Sequence, residues 1–392
     1  MLYFANARLR AGFLSMHNSR MMPGLTPSTD VFVIGGGPAG LAAAIAARRR
    51  GFAVTVADRS QHPIDKACGE GIMPDGVAAA RALDISLGDA GARPFRGIRF
   101  CERDLAVEAP FPQGVGFGMR RTALHELMVE RAAQAGVRMM WGASVTGLER
   151  DGVRVGGQLL RAPWIVGADG GNSVVRRWAG LDACARDSRR YGFRRHYQVA
   201  PWSDFMEIHW GDGYQLYVTP VSDTEVCVVL ISSDQRQRLD HVLPRFPLLA
   251  RRLAAAGDRS SERGGVSASR RLERVWRGNV ALVGDASGSV DAITGEGLCL
   301  LFQQAVALAD ALAAGDLLRY QAAHRRLGRR PELMAGLMLL LDRSVRLRGR
   351  VLHAFAARPR LLSRMLALHV GELSFFDTAA NGLALGWQML TS

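Results

Sequence analysis

The sequence predicts an α/β protein in which a Rossmann-like parallel sheet carries an inserted antiparallel β-sheet domain and ends in a helical C-terminal region. Three observations carry that expectation. A short apolar run at 31–34 leads through the turn Gly35-Gly-Gly-Pro-Ala-Gly40 into a segment of small residues. The middle of the chain, 191–232, instead mixes aromatic and β-branched residues with polar ones, as a sheet does. After Gly295 the pattern is helical throughout. With 392 residues, of which 48% are hydrophobic and 22% charged, the chain can bury the core of one large or two ordinary domains.

The elements follow in order. Residues 1–29 hold Arg8, Arg10 and Arg20 and no acid, and their apolar residues are interrupted before a signal-peptide core can form. They are expected to be a flexible extension, with Met16, Met21 and Met22 fitting an upstream start codon. From Asp30 a strand at 31–34, a helix at 41–50 stopped by Gly51 and a strand at 53–58 make a βαβ unit. A helix at 122–135, a strand at 137–141, a hairpin around 149–152 and a buried strand at 164–169 extend it. The stretch 191–232 suits an antiparallel sheet with one covered face. A strand at 280–283 returns to the first sheet. The expected domains are thus 30–185 with 270–315, an inserted substrate-side sheet at 186–269, and a helical region at 316–392.

Composition excludes several function classes. Fifty basic against thirty-six acidic residues give a net charge of +14, and Lys66 is the single lysine, so the positive charge is arginine. Such a balance suits an anionic cofactor, a membrane surface or nucleic acid, but no nucleic-acid module accompanies it and no such partner is expected. Residues 317–392 hold twelve arginines against four acids, and an apolar run at 333–341 precedes Arg343, Arg346, Arg348 and Arg350. Two readings stand: a helical cap with solvated arginines, or peripheral contact with anionic lipid through the C-terminal helices. Cys68, Cys101, Cys184, Cys227 and Cys299 are odd in number and scattered, which argues for a reducing, cytoplasmic compartment. Outside the first βα unit the longest uncharged apolar stretch is 297–309, short of the roughly 18 residues that a membrane span needs. With no HExxH and no CxxC, a metal site is not expected; with no G-x-S-x-G at 170–173, neither is a hydrolase elbow there.

The glycine turn carries the first specific chemistry. Gly35 permits the tight turn, Gly37 lets the backbone approach a pyrophosphate, and Gly40 allows the helix to pack closely on the strand; Pro38 and Ala39 complete the helix start that faces the anion. Asp58 ends the second strand about twenty residues on, where a carboxylate accepts hydrogen bonds from a ribose diol, and Arg59 follows it. No second fingerprint of this kind follows a strand. A dedicated nicotinamide domain is therefore not expected, and electrons would come from a transiently bound nicotinamide or a redox partner.

Two further glycine-rich segments, 167–176 and 283–297, each join a buried strand to a helix. With the first motif they stand in an order, over 30–312, that resembles the FAD-dependent group A monooxygenase and geranylgeranyl reductase superfamily, built on the p-hydroxybenzoate hydroxylase fold. The resemblance implies an FAD-binding Rossmann-like (GR2-type) domain, FAD as cofactor and NAD(P)H as transient reductant. It implies that Asp169 and Gly170 lie near the pyrophosphate and that Gly284 and Asp285 lie at the ribityl and pyrophosphate region. The turn Gly295-Glu296-Gly297 would aim a helix start at the flavin N1 and C2 carbonyl, where reduced flavin gathers negative charge. Arg121 matches the family's cofactor-reaching arginine, with Arg120 the alternative, and Val145 is counted among the cofactor contacts.

The loop 66–74 resembles the cysteine loop of the geranylgeranyl reductase branch, which would place Cys68 and Gly69 by the flavin ring. Cys68 either tunes the flavin or simply packs, and Glu70 is a candidate proton donor. At 215–220, where that branch carries Tyr-x-Trp-x-Phe-Pro, only Pro220 matches; Gln215, Tyr217 and Thr219 replace the aromatics, and the tryptophan motif of flavin halogenases is absent too. Tyr214 and Tyr217 should face opposite sides of their strand, so at most one meets a ligand. Arg194 and His196 share a face and either anchor a phenolate or carboxylate or sit on the outer surface. The resemblance implies an FAD-dependent oxidoreductase with a small hydrophobic or aromatic substrate. Hydroxylation of an aromatic or polyketide-like molecule with NAD(P)H and O2 comes first. Saturation of a carbon–carbon double bond in a prenyl or lipid chain is the alternative, favoured by the Cys68 loop and the 295–297 turn. A basic surface-binding protein with a vestigial flavin fold is opposed by the intact motifs.

Overall fold

The computed structural model describes residues 29–371. The extension expected at 1–29 and the end of the helical region therefore lie outside the described residues, except Thr29. That residue is buried, and its hydroxyl bonds that of Thr55 at 2.7 Å, so Thr29 packs with the first domain.

A six-stranded sheet runs Trp276–Arg277, Val280–Leu282, Trp164–Gly167, Val31–Ile34, Val54–Asp58, Arg138–Trp141, with every neighbour parallel except the terminal hairpin. All four residues of the central strand Val31–Ile34 are buried, because both faces are covered. Val31 and Val33 pack toward the helices Pro38–Arg49, Arg121–Gln134 and Gly297–Ala313, and Phe32 and Ile34 toward a three-stranded sheet, Val145–Glu149, Gly152–Val155 and Gln158–Arg161.

The second layer is a seven-stranded sheet in the order Arg263–Leu272, Cys184–Tyr197, Val226–Ser232, Tyr214–Pro220, Phe205–Trp210, Gly97–Glu102, Leu105–Pro110. It draws its last two strands from residues that the sequence pattern assigns to the first domain. Phe205–Trp210 pairs in parallel with Gly97–Glu102, a long-range contact that leaves no local signature. The expectation of a single covered face is also corrected. Tyr214–Pro220 and Val226–Ser232 are buried at every position. One face packs on the helices Leu239–Val242 and Pro247–Ala254, and the other packs toward the first domain, which explains the unbroken apolar run at 226–231.

The C-terminal helices Leu317–Arg343, Val345–Ala357 and Pro359–His369 are pinned by charged pairs. Arg348, only 2% exposed, reaches Glu102 at 2.6 Å; Arg330 meets Asp75 at 2.7 Å; Arg190 meets Asp342 at 3.2 Å. The run of four solvated arginines thus needs correction at Arg348, which binds the cap to a sheet strand. Leu333, Leu337 and Leu340 stay exposed on the long helix. Among the described residues no helix is long and apolar enough to cross a membrane.

Candidate active site

A cavity of about 830 Å³ opens where the parallel sheet meets the seven-stranded sheet. Its dinucleotide end is lined by Gly35, Gly37, Pro38, Ala39, Asp58, Arg59 and Val145, and its other end by Cys68, Gly69, Glu70, Arg121, Asp285, Gly295, Glu296 and Gly297. Asp169, Gly170 and Gly284 border it between. Gly40 does not line it.

The glycines divide by task. Gly35 has φ +111°, and a Cβ there would sit 2.4 Å from the Ala168 carbonyl oxygen. A Cβ on Gly40 would stand 1.8 Å from the Gly35 carbonyl oxygen, so Gly40 serves helix packing. Gly37, at φ −71°, has nothing within 4 Å of its Cβ position, and neither have Gly295 and Gly297. Neither helix that starts at these turns has a side-chain cap. Their free N–H groups are available to an anion, as a bound pyrophosphate and a flavin carbonyl would require.

The acids are held locally. Asp58 accepts from the Gly36 and Ser60 N–H groups at 2.7 Å each, which shapes the turn beside the ribose position. Asp169 accepts from the Ser173 hydroxyl at 2.5 Å and from the N–H groups of Val174 and Val175 at 2.7 and 3.1 Å, so it caps a short helix. Asp285 bonds Lys66 at 2.9 Å on the cavity wall, both side chains about half exposed; protein surroundings oppose its charge, but the Lys66 ammonium outweighs them and holds the carboxyl below its ordinary value. Arg120 pairs with Glu225 at 2.6 Å, whereas Arg121 lines the cavity with a buried Nε that has no partner. Of the two candidates, Arg121 is the one that lines the cavity.

Beyond the dinucleotide end, the proposed catalytic residues separate. Cys68 lines the cavity, and its Sγ accepts from the Glu70 N–H at 3.4 Å. Glu70 takes up φ +60°, and its buried carboxylate accepts from Arg194 at 2.9 Å, from the Arg121 N–H at 3.0 Å and bonds His196 Nε2 at 2.7 Å. Arg194 also forks onto Asp65 at 2.9 and 3.0 Å. Arg194 and His196 therefore neither face solvent nor line the cavity, which corrects both readings of them: they lock the cysteine loop through Glu70. With its oxygens so occupied, Glu70 acts as an anchor and not as a proton donor. Tyr217 presents its ring to the cavity, but its hydroxyl lies 2.5 Å from the Ile293 carbonyl oxygen and 2.6 Å from Gln215 Oε1, and burial pushes the phenol up. It braces the turn Ala292–Thr294 and is not free for catalysis. Tyr214 belongs to the opposite face, as the strand alternation requires.

Among the described residues one trio, Glu70, His196 and Cys227, brings ligand atoms within 4.8 Å of one another. The Arg194 guanidinium already sits on Glu70, so a cation finds no open carboxylate there. Sequence patterns missed the buried pair Arg190–Asp291, at 2.8 Å, and the group behind Glu296 formed by Asp75, Arg330 and His369. Their members come from distant segments. Lys66 did carry a signal, as the one lysine in an arginine-rich chain.

The empty Cβ positions, the uncapped helix starts and the unpartnered Arg121 Nε together fit a flavin dinucleotide, and the fold and site define an FAD-dependent oxidoreductase. A family model described as an FAD binding domain matches residues 28–329, and the chain belongs to that family. It is 28% identical to a menaquinone reductase of Mycolicibacterium smegmatis over 92% of this chain and 95% of that protein. It is 28% identical to a digeranylgeranylglycerophospholipid reductase of Methanothrix thermoacetophila over 73% and 79%. A 6-methylpretetramide 4-monooxygenase of Streptomyces rimosus is 35% identical, but over 39% of this chain and 41% of that one. The fold also matches a flavin-dependent brominase with a TM-score of 0.72 at 19% identity, covering 88% of this chain and 93% of that one.

Proposed function

We propose that the protein is an FAD-dependent reductase that saturates a carbon–carbon double bond in a prenyl or similar lipid chain. This reverses the order of the two readings that the sequence alone supports. The observation that carries it is the cavity wall: Met206, Tyr217, Val229 and Ile231 from the sheet stand with Leu300 and Leu301 from the helix Gly297–Ala313. The charged groups at that end, Arg190 between Asp291 and Asp342, are tied to one another. Such a wall holds an alkyl chain by burial and offers no free base to ionise a phenol. Most of the relatives spanning two thirds or more of the chain bear reductase names, a dialkyldecalin synthase being an exception, while the monooxygenase relative spans under half of it.

Bound FAD, once reduced by NAD(P)H, would supply a hydride. The chain's own residues orient the double bond against the sheet wall, exclude water from it, and keep Cys68 at the flavin end. Trp178 and Val266, exposed at the cavity edge, give the lipid an apolar mouth. The exposed leucines of the long helix, with the exposed Arg343, Arg346 and Arg350 after them, would rest on the anionic membrane that carries such a substrate.

The test is anaerobic turnover. With NAD(P)H and a polyprenyl quinone or polyprenyl phospholipid, the prenyl chain of the product, measured after any quinol is reoxidised, should carry two more hydrogens without oxygen present. Incorporation of labelled oxygen from the gas into product, with no anaerobic turnover, would establish hydroxylation instead.

A further inference from the structure

A glycine inside a central strand weakens it, and its usual cause is the close approach of another backbone or of a ligand. Gly192 lies in the strand Cys184–Tyr197, paired on one side with Ile231 and on the other with Gly265. The chain itself does not demand a glycine there. Its φ lies outside the left-handed region, and a Cβ would find only the carbonyl oxygens of Gly265 and Leu230, at 3.9 and 4.0 Å. The nearby glycines differ: a Cβ on Gly264 would stand 3.0 Å from the Phe193 ring, and one on Gly265 would stand 3.3 Å from the Ala67 Cβ. Alternation puts Tyr191 and Phe193 on the far face of the sheet and Arg190, Gly192 and Arg194 on the face toward the first domain. Gly192 and Gly265 line the cavity there, together with Ile231, Val229, Ala67 and Cys68.

What opens over Gly192 is a notch one residue wide. Along the strand it ends at Arg190 and Arg194, each about 7 Å away, whose guanidinium groups are tied to Asp291 and Asp342 and to Asp65 and Glu70. Across the strands it is bounded by Ile231, about 5 Å off, and by Ala67 of the cysteine loop, which covers Gly265. A flat ring is too broad for such an opening, whereas a single methyl group fits it. The turns 35–40 and 295–297, which a flavin requires, belong to the opposite wall, so the notch faces the substrate. We propose that Gly192 is a specificity-determining residue: its notch seats the methyl branch of one prenyl unit, and the cavity thereby selects methyl-branched over unbranched alkenyl chains. The inference rests on the reductive reading above. A prenyl unit carries its methyl group on an alkene carbon, so seating that group fixes both the place and the rotation of the double bond, beside the cysteine loop.

Gly192→Ala fills the notch with one methyl group. The variant should keep its FAD and melt no lower than the wild type, because alanine inside a strand is less costly than glycine. Binding is measured on the oxidised, FAD-loaded full chain, where no turnover occurs, with geranylgeraniol and with an unbranched hexadecatetraenol of the same main-chain length. The deciding quantity is the ratio of the two affinities, since the branched alcohol is the more apolar in any case. Gly192→Ala should lower that ratio about tenfold, by weakening geranylgeraniol while the unbranched alcohol binds as before. In anaerobic mixing, oxidation of the reduced variant by geranylgeraniol at subsaturating concentration should also fall about tenfold. An unchanged ratio overturns the inference, as does a wild type that binds neither alcohol. So does a variant that loses FAD or melts lower, because the glycine would then serve the fold. Failure of the reductive reading looks different: the wild type, given NAD(P)H without oxygen, leaves geranylgeraniol intact while the ratio still falls in Gly192→Ala. The methyl seat then stands, and the reduction assigned to it does not.

Discussion

Gly37 and Gly40 stand one helical turn apart in a single motif, yet they respond to different pressures. Gly37 has an ordinary φ and open space at its Cβ, so alanine there should leave the apoprotein's melting temperature unchanged. The added methyl group would occupy the space through which a pyrophosphate approaches the helix start, and flavin occupancy should fall by about tenfold or more. At Gly40 the same methyl group meets the Gly35 carbonyl oxygen at 1.8 Å. Gly40→Ala should therefore lower stability itself, by about 1–3 kcal/mol, with flavin loss as a consequence. Visible absorbance and apoprotein melting curves of the two variants separate these effects. Equal loss of stability in both would refute the division of labour. Sequence spacing alone made the motif legible, because turn, helix start and strand packing are local events. At Glu296 it showed the turn but not the acid's surroundings, since Asp75, Arg330 and His369 come from three other helices.

At the level of elements, legibility followed the range of the interaction. The βαβ unit and the strand at 280–283 were readable because buried parallel strands are continuous apolar runs bounded by turn residues. The place of the hairpin Gly97–Glu102 and Leu105–Pro110 in the sheet was not, since Gly97–Glu102 joins it through Phe205–Trp210, about a hundred residues away. Strand alternation correctly separated Tyr214 from Tyr217 and put Arg194 with His196, but alternation cannot say which face is inward. The structure supplies that: Arg194 ties the strand Cys184–Tyr197 to the cysteine loop through Glu70 and Asp65. Removing it would leave Glu70 buried with one donor fewer and Asp65 with Arg263 alone. Arg194→Met should cost about 3–5 kcal/mol in denaturant unfolding and weaken flavin binding through the loop. A change below about 1 kcal/mol would mean that the network contributes little to holding the loop.

On the scale of the whole molecule, the net charge of +14 is used in two ways. Arg190, Arg330 and Arg348 turn inward and clamp the helical region onto the seven-stranded sheet and the helix Pro74–Arg81, so these three are unavailable to a partner. Arg325, Arg326, Arg329, Arg343, Arg346 and Arg350 stay exposed beside Leu333, Leu337 and Leu340. Basic side chains next to an apolar stripe, on a helix too polar to cross a bilayer, match contact with an anionic lipid surface, where each exposed arginine contributes about 1 kcal/mol. The full chain should therefore sediment with vesicles containing phosphatidylglycerol and stay in solution with phosphatidylcholine alone, and added salt should weaken the binding. Leu337→Asp combined with Leu340→Asp should release the protein from vesicles while leaving FAD content unchanged, because neither leucine lines the cavity. In that variant turnover of a bilayer-borne polyprenyl substrate should drop, whereas turnover of a short detergent-solubilised analogue should persist. Equal binding to neutral and anionic vesicles, or loss of both activities together, would show that the stripe does not deliver substrate from a membrane.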